Sequence, residues 1–178
     1  DGKVTIEVNP AEAGQEFTMW VRIPTWCGEQ FVPGELYSYA NAAADKAVVK
    51  VNGKRVRTEV VDGYMPVQRA WKAGDKVEIE LPMPVRYSVA DERVKADINR
   101  VCVTRGPLVY CAEQPDNEYV ASHYVLTNIN QKGEVATFSE GIMNGINNIT
   151  LKAAALVDDG AEEPNTMDAT LKLIPYYA

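Results

Sequence analysis

Phe17-Thr18-Met19-Trp20-Val21-Arg22-Ile23 decides the fold class. Phe17, Met19, Val21 and Ile23 alternate with Thr18, Trp20 and Arg22, and successive side chains on a strand point to opposite faces. Two more runs repeat the period. Val4, Ile6 and Val8 alternate with Thr5 and Glu7, and Val77, Ile79 and Leu81 alternate with Glu78 and Glu80. One apolar and one wet face per strand suits antiparallel sheets better than a parallel sheet buried on both sides.

The turns agree. Val49-Lys50-Val51-Asn52-Gly53-Lys54-Arg55-Val56 reads as a hairpin, because Asn and Gly tolerate the positive φ of a type I′ turn. Lys72-Ala73-Gly74-Asp75 is a second turn, ahead of the Val77 run. Pro24, Pro82 and Pro84 flank strands, where a missing N–H does least harm. The alanine-rich stretch 37–49 is expected to be an excursion with at most one or two helical turns. The fold class expected is all-β, with antiparallel, jelly-roll-like β-sandwiches in two packed units. Its core should comprise Val4, Ile6, Val8, Phe17, Met19, Val21, Ile23, Val77, Ile79, Leu81, Val101, Val103, Leu108 and Tyr110.

A boundary is expected near residues 105–113, giving a first sandwich over 1–107 and a second over 108–178. Beyond it a polar stretch, 114–124, precedes strand-like runs at 124–126, 135–138, 148–156 and 169–174. A Gly/Asn-rich patch at 141–148 and an acidic stretch at 158–163 separate the last three.

The chain has 178 residues, with 18 Lys+Arg against 25 Asp+Glu and a formal net charge of −7. That balance argues against a nucleic-acid partner, whose phosphates demand clustered cations. No apolar run approaches the ~20 residues of a membrane helix. Asp1-Gly2-Lys3-Val4 lacks the charged-then-apolar pattern of a signal peptide. The compartment stays open.

Catalytic chemistry finds little material. His123 is the one histidine, nothing marks a nucleophile as its partner, and a loop position is expected. Cys27, Cys102 and Cys111 are separated by 75 and 9 residues. They form no close pair of the kind that pre-forms half a zinc site, so small buried hydrophobes and no bound metal are expected. Cys102 and Cys111 do pose a geometric alternative. If Gly106-Pro107 closes a two-residue hairpin loop, they stand opposite each other within disulfide reach. If one long bent strand runs through Gly106-Pro107 into the second unit, they do not. The bent strand is favoured, since the boundary is expected there. The acidic stretch at 158–163 lacks the ligand spacing of a calcium loop and reads as solvated. Asn148-Ile149-Thr150 matches the N-glycosylation pattern, a short motif frequent by chance.

The aromatics are the candidate contact residues. Trp20 runs out of phase with the core face, and Trp26, Phe31, Tyr37 and Tyr39 fall in one irregular excursion. Trp20, Trp26, Tyr37 and Tyr39 suit a domain interface, or alternatively a sugar platform.

Several ordered stretches carry a resemblance. They are Phe17-Thr18-Met19-Trp20-Val21-Arg22-Ile23-Pro24-Thr25-Trp26, Val49-Lys50-Val51-Asn52-Gly53, Gly63-Tyr64-Met65-Pro66-Val67-Gln68-Arg69-Ala70-Trp71-Lys72-Ala73-Gly74-Asp75, Leu81-Pro82-Met83-Pro84-Val85-Arg86, Arg100-Val101-Cys102-Val103-Thr104-Arg105-Gly106-Pro107-Leu108-Val109-Tyr110-Cys111-Ala112-Glu113 and Ile174-Pro175-Tyr176-Tyr177-Ala178. Together they resemble the region after the catalytic domain in glycoside hydrolase family 127, the β-L-arabinofuranosidase family. The resemblance implies an (α/α)6 catalytic barrel as partner, followed by two β-sandwich domains. It places the catalytic glutamate, the cysteine nucleophile and a zinc ion in that barrel. None of those motifs matches a position here, so no catalytic or metal-binding residue and no cofactor is expected in this chain. The implied role is a non-catalytic accessory region, the alternative a carbohydrate-binding module.

Overall fold

The structure is a computed structural model describing residues 2–41, 45–135, 145–158, 160 and 165–176. In chain order its strands are β1 (Lys3–Val8), β2 (Glu16–Arg22), β3 (Tyr37–Tyr39), β4 (Val48–Val51), β5 (Lys54–Arg55), β6 (Tyr64–Ala70) and β7 (Asp75–Glu80). There follow β8 (Val85–Ala90), β9 (Val101–Arg105), β10 (Leu108–Cys111), β11 (Tyr124–Val125), β12 (Glu134–Val135), β13 (Ile149–Val157) and β14 (Asn165–Pro175). Among the described residues every pairing is antiparallel. Among the described residues helix is limited to 3-10 turns of three residues each. The all-β expectation holds. No helical turn forms around Tyr37, which opens β3 instead, and residues 42–44 lie outside the described residues.

Two compact units divide the chain: Asp1–Gly34 with Ala42–Pro84, and Glu35–Asn41 with Val85–Ala178. The division expected at 107/108 is corrected to 84/85. Residues 105–113 belong to the interior of the second unit, where Leu108 pairs with Arg105 and Tyr110 with Val103. The favoured bent strand is corrected with it. Gly106, at φ +58°, and Pro107 close a two-residue hairpin, because a positive φ reverses the chain where an extended one would carry it onward.

In the first unit, β1-β7-β4-β5 form a four-stranded sheet and β2-β6 a two-stranded one. Their inner faces make one core: Val49, Val51, Val77 and Ile79 from the larger sheet, and Val21, Met65 and Val67 from the smaller. Trp71 is wholly buried in it. Its indole N–H donates to the Phe17 carbonyl at 3.0 Å and its ring stacks on Phe17 with centroids 5.6 Å apart. Each fully buried aliphatic side chain here contributes about 1.5–3 kcal/mol. Asn52 and Gly53 take φ +50° and +76°, as the type I′ turn requires. Val4 and Ile6 depart from the expected core. They pair with Ile79 and Val77, and so face the core side of the sheet, yet remain 43% and 37% exposed. Alternation chose their face correctly, but β1 is an edge strand, and of its three inward residues only Val8, at the strand's end, is buried in the core.

The second unit is one sheet, in the order β11-β13-β14-β10-β9-β8-β3, with β12 pairing β13 beside β11. Its core gathers Val85 and Tyr87 from β8, Val103 and Tyr110 from β9 and β10, and Ile149, Leu151, Leu171 and Leu173 from β13 and β14. The sheet curls. A Cβ on Gly133 would lie 3.3 Å from Val85 and 3.4 Å from Ile149, although three strands separate β8 from β13 within the sheet. The run expected at 135–138 appears as β12 at its start, and residues 136–138 lie outside the described residues. Side-chain amides substitute for missing strands. Asn41 accepts from Tyr87 N–H and donates to Val85 C=O. Asn117 does the same to Lys172, and Gln131 to Lys152. Backbone groups left open at strand edges are thereby satisfied without offering a pairing template.

Candidate functional surface

The pairing of β2 with β6 builds the most open aromatic surface of the first unit. Phe17, Met19 and Val21 turn inward with Met65 and Val67, so Thr18, Trp20 and Arg22 turn outward with Tyr64, Pro66 and Gln68. Trp20 stands opposite Pro66 and is 58% exposed. One pair further along, the Arg22 guanidinium lies over the Tyr64 ring, 5.1 Å from its centroid. Gly63 is required beside it. Its φ of +80° disfavours a side chain, and a Cβ there would collide with the Arg22 guanidinium. Trp20 and Tyr64 are diagonal cross-strand neighbours on this face, a spacing of about 7–8 Å.

The four aromatics selected from the sequence divide between the units. Trp20 and Trp26 belong to the first, Tyr37 and Tyr39 to the second. Trp26 is half-buried in the 3-10 turn Thr25–Cys27 that follows Pro24. Tyr37 donates its hydroxyl to Asp97 Oδ2 at 3.1 Å, and that hydrogen bond, with the Asp97 charge, raises its phenol above the ordinary range. The Arg86 guanidinium sits over the Tyr39 ring, 3.7 Å from its centroid. Both tyrosines therefore hold protein partners of their own unit. Arg22, Tyr64 and Pro66 were missed by sequence reading. Only the β2–β6 register places them beside Trp20, though the alternation Tyr64-Met65-Pro66-Val67 already marks their outward phase.

Burial pushes the Cys27 thiol up to about 11 and also raises Cys102 and Cys111. A nucleophilic cysteine needs the opposite shift. The carboxyl of Asp75 is lowered first by its hydrogen bond from Asn52, Glu80 by Lys50, and Asp91 by Arg93. A glycosidase general acid needs a raised value. Lys50 Nζ lies 2.6 Å from Glu80, and Arg93 Nε 2.6 Å from Asp91. His123 is exposed at the end of a 3-10 turn. Among the described residues no three His, Cys, Asp or Glu side chains converge as metal ligands would. No helix there is long and apolar enough to cross a membrane. Asn148, of the glycosylation pattern, is buried at 8% exposure, which withholds it from modification in the folded chain.

A large concavity is found in each unit. In the first, about 910 Å³ is bounded by Ile23, Val49 and Met65, with Lys46, Arg57 and Glu59 also lining it. In the second, about 1100 Å³ lies over Val103, Tyr110 and Leu173. Asp97 is the one acidic residue lining the latter, and it is engaged by Tyr37.

Known proteins share this two-unit pattern. Residues 1–83 match the β-L-arabinofuranosidase GH127 middle domain, and residues 85–178 match the glycoside hydrolase family 127 C-terminal domain. The seam between the two matches coincides with the 84/85 division. A non-reducing end β-L-arabinofuranosidase of Bifidobacterium longum subsp. longum is 33% identical over 192 aligned residues, covering 100% of this chain and 26% of that protein. Among solved structures, a GH127 β-arabinofuranosidase superposes with a TM-score of 0.86 at 41% identity, over 99% of this chain and 27% of its own. A GH127 β-L-arabinofuranosidase from Geobacillus stearothermophilus T6 gives 0.81 at 31% identity, over 100% of this chain and 26% of its own. The chain thus spans about a quarter of the length of the relatives it matches. With both of its units matched in order, this chain belongs to glycoside hydrolase family 127, of which it comprises the middle and C-terminal domains.

Proposed function

We propose that this chain supports the (α/α)6 catalytic barrel of a β-L-arabinofuranosidase-like parent and does no chemistry itself. The observation that carries this reading is uncovered apolar surface on the first unit. Val4 and Ile6 face the core side of their sheet without cover, and Trp20 projects from the β2–β6 face at 58% exposure. Apolar side chains left open in this way mark a surface that another domain covers. Zinc in such a parent would take its ligands from the catalytic barrel, as the family resemblance implies.

The test is oxidative footprinting of Trp20 in the full-length parent. An accessory role predicts that Trp20 is protected there, and that Trp20→Ala lowers the unfolding temperature of the catalytic domain. A carbohydrate-binding module would instead leave Trp20 reactive in the parent and protected only by added arabino-oligosaccharide. That second result would replace the proposal.

A further inference from the structure

The hairpin of β9 and β10 places two thiols in register. Its two-residue loop makes Arg105 and Leu108 the closing pair, followed by Thr104 with Val109 and Val103 with Tyr110. Hydrogen-bonded and non-hydrogen-bonded pairs alternate from the loop outward, starting with a hydrogen-bonded one. Extending this register one step beyond its last pair, Val103 with Tyr110, sets Cys102 opposite Cys111 at a non-hydrogen-bonded position. There opposite Cα atoms approach to about 4.5 Å, inside the range a disulfide spans. Each cysteine is also held from its other side, Cys102 by its pairing with Ser88 of β8 and Cys111 by its pairing with Ile174 of β14. Both side chains leave the sheet on the face opposite Val103 and Tyr110, which are buried. Cys102 is exposed, Cys111 half-exposed, and both are free thiols. Cys27 is buried in the other unit.

We propose that Cys102 and Cys111 form a cross-strand disulfide by exchange with a low-molecular-weight disulfide such as oxidised glutathione. Burial raises the Cys102 thiol, so exchange needs mildly alkaline pH, where its ionised fraction attacks one glutathione sulfur, giving a mixed disulfide and releasing one glutathione thiolate. Cys111, deprotonated in turn, attacks the Cys102 sulfur and displaces the second glutathione. Two protein thiols and one oxidised glutathione thus become one protein disulfide and two reduced glutathiones. The bond staples β9 to β10 across the centre of the second unit's sheet.

The sequence supplies a clean assay. Cleavage after Arg100, Arg105 and Lys132 puts Cys102 in fragment 101–105 and Cys111 in fragment 106–132. The full-length parent is incubated with oxidised glutathione at mildly alkaline pH, alkylated, digested with trypsin and mapped by mass spectrometry with and without reductant. The expected result is one linked species of these two fragments that separates on reduction, with Cys27 alkylated as a thiol. In Cys102→Ser the linked species vanishes, and Cys111 stays as a thiol or carries a single glutathione. Separate glutathionylation of both cysteines in the wild type, two unreacted thiols, or a bond to Cys27 would each overturn the proposal.

Discussion

The Asn52 side-chain amide donates to Asp75 Oδ1 at 2.8 Å, tying the turn between β4 and β5 to the first residue of β7. Asn52 Oδ1 in turn accepts from the Lys76 N–H, and Asp75 Oδ2 accepts from the Lys72 N–H. The two turns legible in the sequence therefore lock each other.

This lock has a pH signature. The Asp75 carboxyl lies below the ordinary range, chiefly through Asn52, then the Lys72 N–H, then the Arg69 and Lys72 charges. A carboxyl with a depressed folded value contributes stability above its unfolded pKa of about 3.9. That contribution is lost as pH falls through the folded value. Unfolding temperatures of wild type and Asp75→Asn should differ most near neutrality and converge in acid. Glu80 and Asp91 are common to both proteins, so the difference isolates Asp75. Parallel curves down to strong acid would refute the coupling.

Trp71 sets the packing of the first unit. It is wholly buried, stacks on Phe17 and donates to the Phe17 carbonyl. Trp71→Ala should cost about 3–5 kcal/mol in urea unfolding, through lost transfer energy and the cavity left behind. Trp71→Phe keeps much of the volume but leaves that carbonyl without its donor, so it should cost less than the alanine variant and more than zero.

How much of this was legible depends on the range of the cause. Asn52-Gly53 and the alternation from Phe17 to Ile23 are local chemistry, and both appear as read. The outward phase of Trp20 was also local, and Trp20 is exposed. Its neighbours Arg22 and Tyr64 belong to a register between β2 and β6 that no local pattern encodes. Val4 and Ile6 show the same limit, because alternation names a face but not what covers it. The boundary expected at 105–113 made Gly106-Pro107 read as a bend in one long strand, whereas it is a hairpin turn inside the second unit. Asn41 and Asn117 clamp strands 44 and 55 residues away, and in sequence each is one more polar loop residue.

Gly133 marks where the curled sheet of the second unit closes. It adopts φ +63°, and a Cβ there would meet Leu151 at 2.9 Å as well as Val85 and Ile149. Gly133→Ala meets both the left-handed backbone penalty and overpacking, together about 2–4 kcal/mol. The measurement is urea unfolding beside Gly74→Ala. Gly74 has φ +82° but open space around it, so it carries the backbone penalty alone. Equal losses in the two variants would show that closure over Gly133 is not tight.

The chain by itself should hydrolyse no glycoside. A retaining mechanism needs an activated nucleophile and an acid/base held about 5–5.5 Å apart. The family's catalytic motifs have no counterpart in these residues. The thiols of Cys27, Cys102 and Cys111 are raised, away from thiolate character. The carboxyls of Asp75, Glu80 and Asp91 are lowered, away from general-acid character. Both directions favour the resting state of a structural group. The 178 residues and the full-length parent should therefore be incubated side by side with an aryl β-L-arabinofuranoside, and phenol release followed. Release is expected from the parent and none above background from the chain. Release from the chain that disappears when one of its own carboxylates is replaced by the amide would make it an enzyme in its own right and sink the accessory role.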